Sequence, residues 1–228
     1  MVAKNISLVG FVAAVCVFNL IAFQLPLLQY AIKVSDLTDI YGVTQIVSLQ
    51  VLQICLLAAM LFFLSTMSVV VMKFVTAILL ICNAIGLYFM VSYGIEIDRS
   101  MIANIFNTDP RETAELLHVS MIPFVLVLGL VPALMTLLVD VTTPRRIWRL
   151  AYCVGSIVLL TLWIIMTSFT VLWYDKHASR MGSKILPWSY IINTARYFNR
   201  EAMDNREQVL LPRAYFLTET PLKKEVVI

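Results

Sequence analysis

Charge is scarce in this chain: only 14% of its 228 residues are Asp, Glu, Lys or Arg, too few to clothe a water-soluble domain of this length. Histidine occurs twice, at His118 and His177, with no Cys, Asp or Glu at ligand spacing, so the chain itself offers no zinc or haem site. The four cysteines, Cys16, Cys55, Cys82 and Cys153, all fall within apolar runs and read as small packing residues, not as a disulfide framework. No GxSxG, Walker loop or HExxH is present. No run of Lys and Arg is interleaved with aromatics, which excludes a nucleic-acid partner. Internal repeats, the mark of many transporters, are absent as well.

What the chain has instead is apolar length. Hydrophobic residues make up 61% of it, and the mean hydropathy is +0.88. The apolar runs approach the roughly 20 residues needed to cross the hydrocarbon, without the short alternating segments of a barrel. The class predicted is all-α integral membrane, with five transmembrane helices at about 6–25, 44–64, 69–91, 119–140 and 149–172. Lys4 precedes the first run, but no small-x-small cleavage pattern closes it before Pro26, so an uncleaved anchor is expected.

Loop charge sets the expected orientation. Arg145, Arg146 and Arg149 crowd the fourth connection and Lys4 flanks the first span, which assigns these segments to the cytoplasm. The loop 26–43 and the segment 94–118 carry more acidic than basic residues and are expected to face the periplasm. The N-terminus of this multi-pass protein is then expected to be cytoplasmic and the C-terminus on the opposite, periplasmic side.

Polar side chains inside the spans can mark a transport pathway. Asn19, Gln50, Gln53 and Asn83 are uncharged and can pair across helix contacts, and Lys73 is near enough to a span end to snorkel. Packing is the simpler reading for all of them.

Between the third and fourth spans lies a polar island, SYGIEIDRSMIANIFNTDPRETAEL, residues 92–116. Met101, Ile102, Ile105 and Phe106 recur at helical spacing, predicting a helix over 98–107 with one face on the membrane surface and Asp98, Arg99, Asn104 and Asn107 toward water or headgroups. Thr108 or Asp109, then Pro110 and Glu112, form a helix-start signal, so a second interfacial helix is expected to begin there and run into the fourth span. Tyr93, Asn104, Thr108 and Glu112 are the candidate substrate-binding residues, side chains able to hydrogen-bond a lipid headgroup. Each also has a plain structural reading: Thr108 and Glu112 as helix caps, Tyr93 as an aromatic-belt residue.

The segment YGIEIDRSMIANIFNTDPRE resembles the signature of the membrane domain of lipid A phosphoethanolamine transferases, the family that includes the mobile colistin-resistance enzymes. The resemblance extends more loosely over nearly the whole chain, through WYDKHAS and KILPWSYIINTARYF. It implies an inner-membrane transferase moving phosphoethanolamine from phosphatidylethanolamine, the donor, to lipid A, the acceptor, among inner-membrane lipids. It also implies a zinc-dependent periplasmic domain carrying a nucleophilic threonine, joined after the strand-like KEVVI at 224–228. On that reading residues 1–175 form the transmembrane domain, 176–220 a periplasmic interfacial segment and linker, and 221–228 the start of a C-terminal catalytic domain that this chain does not contain. No catalytic or metal residue is then expected here, and the chain alone should be inactive. The family pattern places Tyr93, Asn104, Thr108 and Glu112 at the donor-lipid cavity; because an ammonium favours a carboxylate and an aromatic face while amide and hydroxyl groups suit phosphate oxygens, Glu112 and Tyr93 are expected on the amine and Asn104 and Thr108 on the phosphodiester.

The segment after the fifth span departs from the family pattern around Arg180 to Pro187 and at Trp188, Ser189 and Tyr190. Trp173, Tyr174, Trp188, Tyr190 and Tyr197 are expected to anchor it at the interface, with Ile185, Leu186, Ile191 and Ile192 facing lipid. From Asn199 to Thr220 a solvated linker is expected. The competing functions are a non-catalytic lipid-binding or partner-binding membrane protein and a small transporter.

Overall fold

In a computed structural model, residues 5–109 and 118–204 are described. Helix α1, Leu8–Phe23, starts at Ser7, whose hydroxyl oxygen accepts the Gly10 amide at 3.1 Å. It breaks at Gln24 into α2, Leu25–Val34, bent by 63°. Pro26 causes no loss there, because a first-turn residue has no intrahelical acceptor for an N–H. The predicted loop 26–43 is therefore mostly helix, and only residues 35–39 connect α2 to α3, Ile40–Met67.

Ser68 separates α3 from α4, Val69–Tyr93: its amide closes α3 on the Leu64 carbonyl at 3.1 Å and its hydroxyl caps Val70 at 3.2 Å. The fourth apolar helix, α6, is Met121–Leu138, and the fifth, α7, is Arg146–Met166. Within α6 the stretch Leu126–Leu130 is wound as a π-helix directly before Pro132, which lacks the N–H that a regular turn would need. Helices α3, α4, α6 and α7 are each long and apolar enough to span a membrane, and α1 with α2 passes the same test as one bent element. Five passes is the architecture predicted.

Packing follows three clusters. Leu8, Phe11, Leu57, Leu61 and Met72 gather α1, α3 and α4. Phe23, Leu80, Ala84, Leu87, Ile97 and Leu186 close the end of the bundle where α4 leaves it. Leu27, Ala31, Leu49 and Met181 fix α2 against α3 and α8, Val171–Gly182. At the other end the Arg149 Nη1 donates to the Ser65 carbonyl, capping the last turn of α3. All four cysteines are free, and three of them are buried, as packing residues should be.

A last helix, α9, Trp188–Asp204, follows a cis Leu186–Pro187 peptide. Here the structure corrects the predicted anchor and linker. Leu186 does not face lipid: it is fully buried beside Phe23, and Ile185 packs with the Leu27 cluster, while Ile191 and Ile192 remain exposed. The polar stretch from Asn199 begins inside a helix rather than in a linker. Residues 205–228, including KEVVI, lie outside the described residues.

Candidate functional site

The candidate site is built from the chain that leaves α4. Gly94 ends that helix at φ +66°, a left-handed conformation that residues with a Cβ rarely adopt. Residues 95–98 are non-helical, and Asp98 starts α5, Arg99–Asn107, by accepting the Met101 amide at 2.8 Å and the Ser100 hydroxyl at 2.7 Å. Burial raises the Asp98 carboxyl, but those donors outweigh it and hold it below the usual range. The predicted surface helix thus forms, with Ile102 buried and Asn104, Ile105 and Phe106 exposed.

Asn104 and Thr108 come together. Thr108 is the extended C-cap of α5, and its hydroxyl donates to the Asn104 carbonyl, while the Asn104 side chain is exposed. Tyr93 ends α4 in an aromatic group, stacked on Phe89 at 5.7 Å and edge-on to Tyr88 at 6.2 Å. The Tyr88 hydroxyl lies 2.7 Å from the Ser120 hydroxyl, joining this group to the entry of α6. Glu112 lies outside the described residues, as does the start of the predicted second interfacial helix. A continuous run from that helix into the fourth span does not occur: His118 is non-helical, Val119 and Ser120 form a turn, and α6 begins afresh at Met121.

The sequence reading missed what holds α5 in place, which is the segment after the fifth span. The Ile97 amide donates to the Ser183 carbonyl at 3.1 Å, and Asn193 Nδ2 donates to the Ile97 carbonyl at 2.8 Å. Lys184 pairs with Glu96, and the Ser183 hydroxyl donates to Glu96 at 2.9 Å. Phe106 stacks on Tyr197 at 5.4 Å and meets Phe198 edge-on at 5.1 Å. Of the aromatics expected to anchor this segment at the interface, Tyr197 instead clamps α5. None of this has a local sequence signal, because Glu96 and Lys184 are 88 residues apart.

Beneath the clamp lies a buried amide hub. Gln24 Nε2 donates to Asn19 Oδ1 at 2.8 Å and to the Leu186 carbonyl at 2.6 Å, and Gln53 Nε2 donates to Gln24 Oε1 at 2.8 Å. The Tyr190 hydroxyl donates to Asn83 Oδ1 at 2.9 Å. Asn19, Gln53 and Asn83 thus have packing partners, as predicted; the Gln50 amide is buried with no partner among the described residues. The member the sequence reading missed is the central one, Gln24, whose signal is a glutamine two residues before Pro26, at the end of an apolar run.

Burial raises the Glu96 carboxyl, and Lys184 and Ser183 more than offset this, so the group sits below the ordinary glutamate range. A folded-state value below the unfolded one stabilises the clamp above that range and loses the contribution as pH falls through the folded value. Protection of the α5 amides from hydrogen exchange should stay constant from neutral pH down to about 5 and fall below about 4. In Glu96→Gln the step should shrink to the part that Asp98, the cap of the same helix, contributes. A step of unchanged size in this variant would assign the titration to another group.

Among the described residues no group of three or more His, Cys, Asp or Glu could hold a metal ion. Both histidines make local contacts instead, His118 Nδ1 to the Ser120 hydroxyl at 2.9 Å and His177 Nδ1 to the Trp173 carbonyl at 2.8 Å. The described residues therefore do not fit the zinc that the resemblance implies.

Five apolar passes, with two amphipathic helices closing one end, define a multi-pass membrane protein whose polar groups converge where bilayer meets water. The family model described as phosphoethanolamine transferase EptA/EptB matches residues 54–202, more than half of the chain, and the chain belongs to that family. Over 176 residues it is 24% identical to phosphoethanolamine transferase EptA of Helicobacter pylori, covering 77% of this chain and 33% of that protein. Over 104 residues it is 35% identical to phosphatidylethanolamine transferase Mcr-1 of Escherichia coli, covering 43% of this chain and 19% of that protein. The fold matches that of the integral membrane protein lipooligosaccharide phosphoethanolamine transferase A (EptA) from Neisseria meningitidis. The TM-score is 0.78 at 16% identity, over 89% of this chain and 38% of that one. The chain spans a third or less of the length of the curated relatives it matches.

Proposed function

We propose that this chain is the membrane part of a transferase that takes phosphoethanolamine from phosphatidylethanolamine and delivers it to lipid A, and that α5 holds the donor headgroup. Supporting this are the family and the relatives' names, together with an interfacial helix that presents an exposed amide one turn from a hydroxyl. The reacting groups, including zinc, belong to the part of the relatives' length that this chain does not match. The proposed location is the bacterial inner membrane, with the α5 end periplasmic and the Arg145 end cytoplasmic.

The observation that carries the reading is the direction of the Thr108 hydroxyl. Its one hydrogen is committed to the Asn104 carbonyl, so toward a ligand Thr108 can only accept. That suits an ammonium, not a phosphate oxygen, and revises the division of roles expected from the sequence. Thr108 joins Glu112 and the Tyr93 ring around the ethanolamine amine, and the Asn104 amide donates to the phosphodiester. In the full-length enzyme Glu112→Gln should lower headgroup transfer about 10-fold or more at unchanged protein level, the effect of losing one charge-assisted bond. Unchanged turnover would remove Glu112 from the site.

A further inference from the structure

A second concave site lies at the opposite end of the bundle, away from α5. We propose that it binds the phosphate group of an anionic phospholipid drawn from the leaflet on that side. The cavity, about 330 Å³, is lined by Ser7, Leu8, Val9, Thr143, Pro144 and Tyr152, among others.

Its walls are tied across the chain. Residues Ile6–Ser7 pair in parallel with Val141–Thr142, the Ile6 amide donates to the Asp140 carbonyl at 2.9 Å, and the Thr142 hydroxyl donates to the Ile6 carbonyl at 3.3 Å. Two segments some 135 residues apart therefore hold one pocket open between α1 and the loop entering α7. Ser7, Thr143 and Tyr152 among its lining residues carry hydroxyls, and the Ser7 oxygen accepts from Gly10, which leaves its own hydrogen available to an anion.

The charge around the pocket is predominantly basic. Arg145 and Arg146 directly follow the lining residue Pro144 and are exposed, whereas Arg149 is engaged by Ser65. Residues 5–9, 62–74 and 137–153, which form this end, hold Lys73 and those three arginines against a single acid, Asp140. Neither α1 nor α7 has an acidic residue in its first turn, so no carboxylate of either helix competes for the amides of Leu8 and Val9. Basic pockets between membrane helices suit lipid head groups. Leu138, Ile147 and Trp148, 76%, 71% and 56% exposed, flank the site with apolar surface that acyl chains can cover. A free phosphate has no use for that surface, and a phospholipid does.

The test is native mass spectrometry of the purified full-length protein offered equal amounts of phosphatidylglycerol and phosphatidylcholine. Phosphatidylglycerol should be retained preferentially, and the preference should fall by about fivefold per arginine removed in Arg145→Gln and Arg146→Gln. Thr143→Trp, which fills the cavity and leaves both arginines in place, should lose the preference as well; thermal unfolding of each variant reports that it is folded. Equal retention of the two lipids by the wild-type protein would overturn the proposal. A preference that survives Thr143→Trp would reduce the site to diffuse charge attraction, and displacement of the lipid by millimolar inorganic phosphate would make free phosphate the ligand.

Discussion

Gln24→Leu is expected to destabilise the bundle by about 2–4 kcal/mol. Hydrogen bonds between membrane helices average about 0.6 kcal/mol, so losing the three that Gln24 makes accounts for about 2 kcal/mol. The remainder comes from the partners left behind. Gln24 is 2% exposed, and its removal strands the Asn19 and Gln53 amides and the Leu186 carbonyl where water does not reach, which together add up to about 2 kcal/mol. Tyr190→Phe, which breaks the single bond to Asn83, should cost about 0.6 kcal/mol. Denaturant-induced unfolding in detergent measures both. Hydrogen exchange in α5 and α9 should rise in Gln24→Leu, since the hub holds Leu186 and the following helix holds α5. A stability within about 0.5 kcal/mol of wild type would mean that the hub relaxes onto other partners.

Thr108→Val should lower headgroup transfer by the full-length enzyme about 10-fold, and Thr108→Ser should restore most of it. Valine keeps the shape of threonine and removes the hydroxyl, so it deletes both the α5 cap and the acceptor offered to the ammonium. The two effects separate in the readouts. Loss of the cap alone raises hydrogen exchange at the end of α5 and leaves turnover per folded enzyme unchanged. Loss of the acceptor raises KM for the donor lipid. If Thr108→Val frays the helix without touching KM, Thr108 is a cap and the amine contacts reduce to Glu112 and Tyr93.

Much of this architecture was legible because its causes are local. The apolar runs place α3, α4, α6 and α7 within a few residues, and the period of Met101, Ile102, Ile105 and Phe106 places α5. Asp98 caps that helix from the adjoining residues. The predicted loop at 26–34 failed because Pro26 reads as a break, whereas at the first turn it starts a helix. The predicted lipid-facing role of Ile185 and Leu186 failed for a different reason: in an interfacial segment an apolar face reads alike whether it meets lipid or protein.

By itself the sequence determined that this is a five-pass helical membrane protein with a polar surface helix after its third span, because transfer of apolar runs into hydrocarbon and capping of helix ends depend only on neighbouring residues. Tertiary structure alone decided how that surface helix is held. Gln24 and Leu186 are 162 residues apart, Tyr190 and Asn83 107, and Asn193 and Ile97 96. A buried polar group takes whatever partner the fold brings within reach, and that choice is made by packing in three dimensions.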